Sequence, residues 1–351
     1  MVGMIALFDD EPVHLRAKTI GIYALLIAGN VLAWIWALVE FADHPVLLGT
    51  ASLAYTFGLR HAVDPDHIAA IDNVTRKLMQ EGKRPLATGF FFALGHSTVV
   101  IIASSLVALA VAALEARLNG FKAIGGMIGT SVSAFFLLLI ALANTVVLIS
   151  VCRMFGAVRR GDPIIEDDLN GLLAQCGLLG RLLRSVFGVI GKSWHMYPLG
   201  VLFGLGFDTA SEIGLLGISA TQGSAGLSVR SILVFPALFT AAMSLVDTTD
   251  GVLMINAYGW AFIKPIRKLY YNLTITLVSI VVALLIGGIE ALGLLGSKLG
   301  LAGRFWDVIS ALNENFGALG YLIIGVFAGS WLLSAVVYSF KRYDDIEVRL
   351  Q

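Results

Sequence analysis

Eight apolar stretches, near residues 19–42, 46–72, 87–114, 125–152, 194–219, 231–258, 272–296 and 317–340, each reach the roughly 20 residues a helix needs to cross a hydrocarbon core. Backbone amides at that depth have no water to turn to, so such runs close their own hydrogen bonds as helices. The fold class expected is therefore all-α: a polytopic membrane helix bundle of about eight transmembrane helices, forming one domain over residues 1–351. Composition agrees, with 58% hydrophobic and 14% charged residues, against roughly 25% charged in soluble domains. Mean hydropathy is +0.86.

Orientation follows from the basic residues. With the amino terminus inside, 18 of the 24 Lys and Arg residues fall in inner connections, among them Arg76, Lys77, Lys83 and Arg84. The positive-inside rule then places both termini in the cytoplasm, in a cytoplasmic (inner) membrane. The acidic start Asp9-Asp10-Glu11 is unlike a secretory signal. The longest connection, 153–193, repeats Leu169, Leu172, Leu173, Cys176, Leu179 and Leu183 at helical spacing, which predicts an amphipathic helix on the inner membrane surface among the lipids.

Several function classes are excluded at this point. Zero net charge with scattered basic residues leaves no face for nucleic acid. Gly191-Lys192-Ser193 resembles the end of a phosphate-binding loop, but Val186 stands where that loop requires glycine, so no ATP site is expected. Cys152 and Cys176 are too few for a thiolate cage.

Ionisable groups are expensive inside a bilayer, roughly 2.5–3.5 kcal/mol each on insertion scales, so their positions point to function. They concentrate in four of the eight runs. The second contains Arg60-His61-Ala62-Val63-Asp64-Pro65-Asp66-His67, followed by Asp72; the third contains His96; the fifth Asp208 and Glu212; the sixth Asp247 and Asp250. His61, Asp64 and His67 recur every three residues and share a helix face. Pro65 cannot donate to His61 and clashes with its carbonyl, so the helix should kink or open there and could turn Asp66 inward. Asp208 and Glu212, like Asp247 and Asp250, are close enough to repel unless a proton or a cation lies between them. Imidazole with carboxylate suits nickel, cobalt, zinc or iron, and the lack of cysteine argues against copper(I). The candidate metal ligands are thus His61, Asp64, Asp66, His67, His96, Asp208, Glu212, Asp247 and Asp250, with Arg60 balancing charge beside Asp64. Asp72 and Asn73 are read as capping or polarising the inner end of the second span, Glu290 as a snorkelling or packing residue, and His195 as an interface anchor.

These residues resemble the nickel/cobalt transporter family of secondary permeases. Its second-span motif Arg-His-Ala-x-Asp-Ala-Asp-His-Ile is matched by Arg60 to Ile68, with Pro65 in place of alanine. The third-span motif is matched by Phe92 to Val100, and the fifth-span motif by Leu205 to Glu212 with Ser211 in place of threonine. The sixth-span motif is matched by Met243, Asp247, Thr248 and Asp250, with Ala242 in place of glycine. The resemblance implies high-affinity uptake of Ni2+ or Co2+, with the metal as substrate and no cofactor, and His61, Asp66 and His67 as the residues most closely tied to metal handling. The two departures leave the nickel-to-cobalt preference open.

Phe57-Gly58-Leu59 and Phe203-Gly204-Leu205 suggest an inverted repeat with the site between its halves. Other readings remain: transport of Zn2+, Mn2+ or Fe2+, an intramembrane metalloenzyme (although His-Glu-x-x-His is lacking), or a metal sensor. An enzyme is not expected.

Overall fold

The computed structural model describes residues 7–110, 190–205, 210–261 and 265–340, with 130–142 and scattered positions between 127 and 156. Among them every regular element is helical: α1 (Leu15–Glu40), α2 (Pro45–His61), α3 (Pro65–Gln80), α4 (Thr88–Ala110), α5 (Thr130–Val146), α6 (Met196–Gly204), α7 (Ala210–Ser224), α8 (Val229–Ile232), α9 (Val234–Ala261), α10 (Pro265–Leu299), α11 (Arg304–Glu314) and α12 (Phe316–Phe340). Four stretches are long and apolar enough to cross a membrane: Leu15–Glu40, Thr88–Val107, Val229–Gly259 and Thr276–Leu299. The molecule is a helical membrane protein. The amphipathic helix expected within 153–193, the residue Asp208 and the carboxyl-terminal segment from 341 lie outside the described residues.

The second apolar run does not form one continuous span. α2 stops at His61, Asp64 adopts an extended conformation (φ −67°, ψ 143°), and α3 restarts with Pro65 in its first turn. Proline biases the residue before it towards extended backbone, while its own fixed φ suits a helix start. In the fifth run α6 ends at Gly204 and α7 begins at Ala210. α3 continues to Gln80, which overturns the placement of two residue groups. Arg76, counted above in an inner connection, is 2% exposed inside α3, and Asp72 and Asn73 lie in the middle of that helix rather than at a span end. Charge counting could not detect this, because it assumes that a basic residue near an apolar boundary is solvated.

α9 is the central helix, packing against α1, α2, α3 and α4. Its Phe235, Leu238, Phe239 and Met243 are buried with Ala51 and Ala54 of α2, Ala93 of α4 and Leu215 of α7. In lipid, apolar burial alone does not drive helices together, so close approach depends on small residues. α4 and α6 cross at Gly95 and Gly200: a Cβ on the first would collide with the Tyr197 carbonyl, and one on the second with the Phe92 carbonyl. α11 is strongly amphipathic, tucking in Ile309 while Phe305 and Val308 remain exposed, as suits a helix at the membrane surface.

One end of the bundle is stitched by polar contacts. The Asp10 carboxylate accepts from the Ser193 amide (2.9 Å) and hydroxyl, and the Asp10 carbonyl accepts from the Arg84 amide at 2.8 Å. Phe8 stacks on Phe90 at 5.3 Å, and Asp9 pairs with the buried Lys18, whose hydrogen bond holds the Asp9 carboxyl below the usual carboxylate range. Lys77 and Lys83 donate to the carbonyls of Ile190 and Gly191 at 2.6 and 2.8 Å.

Candidate metal centre

Three elements converge where α2 breaks. His61 ends α2, His67 lies in the first turn of α3, and His96 projects from α4; all three are at most 2% exposed. Their ring centroids form a nearly equilateral triangle with sides of 4.7, 4.7 and 4.9 Å. One nitrogen from each lies within 4.8 Å of the others. The break is what permits this: with Asp64 extended, α3 leaves at a new angle and brings His67 back over His61.

Each ring is fixed by a carboxylate. His61 Nδ1 lies 2.9 Å from Asp64 Oδ2 and 3.3 Å from Ser211 Oγ. His67 Nδ1 faces both carboxylate oxygens of Asp247 at 3.3 and 3.2 Å. With hydrogen on Nδ1 donated to the carboxylate, Nε2 of His61 and of His67 carries a lone pair, the arrangement common behind metal-bound histidines. His67 Nε2 is buried without a hydrogen-bond partner, and His61 Nε2 points at His96 Nε2 at 2.9 Å. Two imidazole lone pairs cannot face each other at that distance, so one nitrogen carries a proton that a cation would replace. His96 Nε2 also lies 2.9 Å from Glu212 Oε1, which can take up that proton. Phe92 packs edge-on against His67 at 4.8 Å, and Phe239 lies 5.5 Å from His61, so apolar rings wall the site.

Of the residues singled out from sequence, His61, Asp64, His67, His96, Glu212 and Asp247 meet here. Asp66 is half-buried in the first turn of α3, close enough for its charge to bear on His67 and His96. Asp250 lies one turn beyond Asp247 on α9. The Arg60 guanidinium is 4.0 Å from Asp64 Oδ1 and 3.4 Å from Ser211 Oγ, and about a third of its side chain is exposed. Glu290 is buried and accepts from Ser133 at 3.0 Å, a helix-packing contact. His195 packs edge-on against Trp194 and accepts from the Gly191 amide at 3.1 Å. Gly89, which nothing in the linear pattern marked, lets α4 lie directly against the Asp247 carbonyl.

A family model described as a high-affinity nickel-transport protein, NicO, matches residues 47–337. The chain belongs to the NicO family. This NicO chain is 59% identical over 334 residues to a high-affinity nickel transport protein of Cupriavidus necator, covering 95% of both chains. It is 46% identical to the nickel transporter NixA of Staphylococcus aureus, covering 92% of this chain and 94% of that one. It is 42% identical to the cobalt transport protein NhlF of Rhodococcus rhodochrous, covering 81% of each. No solved structure matches it.

Proposed function

We propose that this NicO chain takes up Ni2+ or Co2+ across the cytoplasmic membrane as a secondary transporter, with the triangle of His61, His67 and His96 as its mid-membrane binding site. The observation that carries the reading is three fully buried imidazoles, two with Nδ1 held by carboxylates, in a member of a nickel-transport family. Nitrogen donors backed by carboxylates suit nickel and cobalt, and relatives named for each metal support both as substrates. Transport of another divalent ion, catalysis and sensing have no observation in their favour.

The ion enters past Arg60, exchanges water for His61 Nε2, His67 Nε2 and His96, and displaces the shared proton by way of Glu212 to water. Asp64 and Asp247 orient the rings, Asp66 adds negative charge at the start of α3, and Asp250 lies one turn beyond Asp247. Arg60 neutralises Asp64 when the metal has left, so the empty protein cycles without a large unpaired charge. Eight spans with both termini inside, the orientation favoured by the basic residues, direct release inward. An interior-negative potential supplies about 2.3 kcal/mol per charge per 100 mV, hence about 4.6 kcal/mol for a dication, or roughly a thousandfold accumulation. No ATP site is required.

The test is 63Ni2+ uptake at nanomolar concentration into proteoliposomes under an imposed interior-negative potential, with Co2+, Zn2+ and Mn2+ as competitors. Saturable uptake blocked best by Co2+ and lost in His67→Ala is the expected result. Flux equal to that of empty liposomes, from folded protein, would overturn the reading.

A further inference from the structure

Beyond the histidines, α3 carries a second buried polar layer that the metal centre does not use. Asp72 lies five residues past His67, about 7.5 Å further along the helix at 1.5 Å per residue. It is fully buried and accepts from the Tyr258 hydroxyl of α9 and from Ser279 Oγ of α10 at 3.0 Å. Arg76, one turn on and equally buried, donates from Nη1 to Thr276 Oγ1 of α10 at 2.7 Å and from Nη2 to Asn73 Oδ1 at 2.9 Å. The same Asn73 oxygen accepts from Asn144 of α5 at 2.6 Å. Four helices are thereby tied at one level.

The order of contacts along α9 places that level on the path. Phe239 lies beside His61, Asp247 beside His67 and Tyr258 beside Asp72, so α3 and α9 run together from the metal centre to this layer. Beside it lies a shallow cleft lined by Asn73, Val74, Lys77, Phe136 and Ile190. Asn73 belongs to both the layer and the cleft wall, and both lie further along α3 than His67. The charges frame the site symmetrically: Arg60 stands four residues before Asp64 at one end, and Arg76 four residues after Asp72 at the other.

We propose that the Asp72–Arg76 layer is the inner barrier of the translocation path, an inference that rests on the transport reading above. A buried guanidinium repels a dication, and the layer must part before the metal can leave the histidines. Its ties join the charged Asp72 and Arg76 to neutral groups of Tyr258, Ser279, Thr276 and Asn73, partners that water can replace when the layer parts, so the ties can break and re-form within each cycle.

The experiment uses the full-length protein carrying Cys152→Ala, Cys176→Ala and Ile71→Cys. Ile71 lies between His67 and Asp72, against Gly251 of α9. A membrane-impermeant maleimide is applied to inside-out and right-side-out vesicles, and 63Ni2+ binding is measured on the solubilised protein. Adding Tyr258→Phe and Ser279→Ala should speed labelling from the inner side tenfold or more, with outer-side labelling unchanged and nickel affinity within threefold of the parent. Efflux of preloaded 63Ni2+ from proteoliposomes gives a second reading that needs no introduced thiol: Arg76→Gln should raise it several-fold, whereas Arg76→Lys should restore it. A purely structural network would lower the yield of folded protein without altering sidedness or efflux. Unmoved labelling and efflux in variants that still bind nickel would overturn the barrier while leaving transport intact. Parent protein that neither binds nor takes up nickel would instead remove the transport reading itself.

Discussion

His67 turns Nδ1 towards both carboxylate oxygens of Asp247, at 3.3 and 3.2 Å, although 180 residues separate the two in the chain. The contact fixes the ring so that its other nitrogen, Nε2, faces the remaining histidines. Asp247→Asn preserves shape but removes the charge that selects this tautomer. Loss of such a partner typically costs 10–100-fold in metal affinity. The apparent KM for 63Ni2+ should rise by about that factor, with membrane abundance unchanged; an unaltered KM would show that Asp247 does not orient the ring.

Metal binding should release a proton. His61 Nε2 and His96 Nε2, 2.9 Å apart, share one in the metal-free protein, and metal ligation needs both lone pairs. Adding Ni2+ to lightly buffered, solubilised protein should acidify the medium by about one proton per bound ion. Affinity should accordingly fall as pH is lowered and recover as it is raised, because protons compete for the same nitrogens. Glu212→Gln, which removes the acceptor beside His96, should weaken binding and reduce the proton count; calorimetry in buffers of different ionisation enthalpy measures both.

Gly200 has no room for a side chain, since its Cβ would meet the Phe92 carbonyl. Gly200→Val should force α6 away from α4 and displace His96. Overpacking of this kind costs about 1–3 kcal/mol. A lower unfolding midpoint in detergent together with weaker nickel binding is expected; a variant as stable as the parent would mean that the two helices separate without strain.

The stitched end of the bundle should contribute to stability and not to affinity. Asp10→Ala removes the acceptor of the Ser193 amide and hydroxyl. A fall of about 2–5 °C in the unfolding midpoint is expected, with the KM for nickel unchanged. A changed KM would tie this segment to the metal path.

The sequence by itself determined the helical class, the membrane environment and the family. Apolar runs of bilayer length leave the backbone few alternatives, and the motifs at Arg60–Ile68, Phe92–Val100 and Met243–Asp250 are local strings. Pro65 also announced the break between α2 and α3, because its effect on neighbouring backbone is local. Only the tertiary structure decided what meets across helices. It placed His96 against His61 and Asp247 against His67, made Gly89 and Gly200 indispensable contacts, and buried Arg76 and Asp72, which linear reading had put in a connection and at a span end. The physical reason is that periodicity specifies which face of a helix a residue occupies but not which neighbour covers that face. Whether an ionisable side chain near a span boundary meets water or another helix depends on crossings set by small residues far away in the chain.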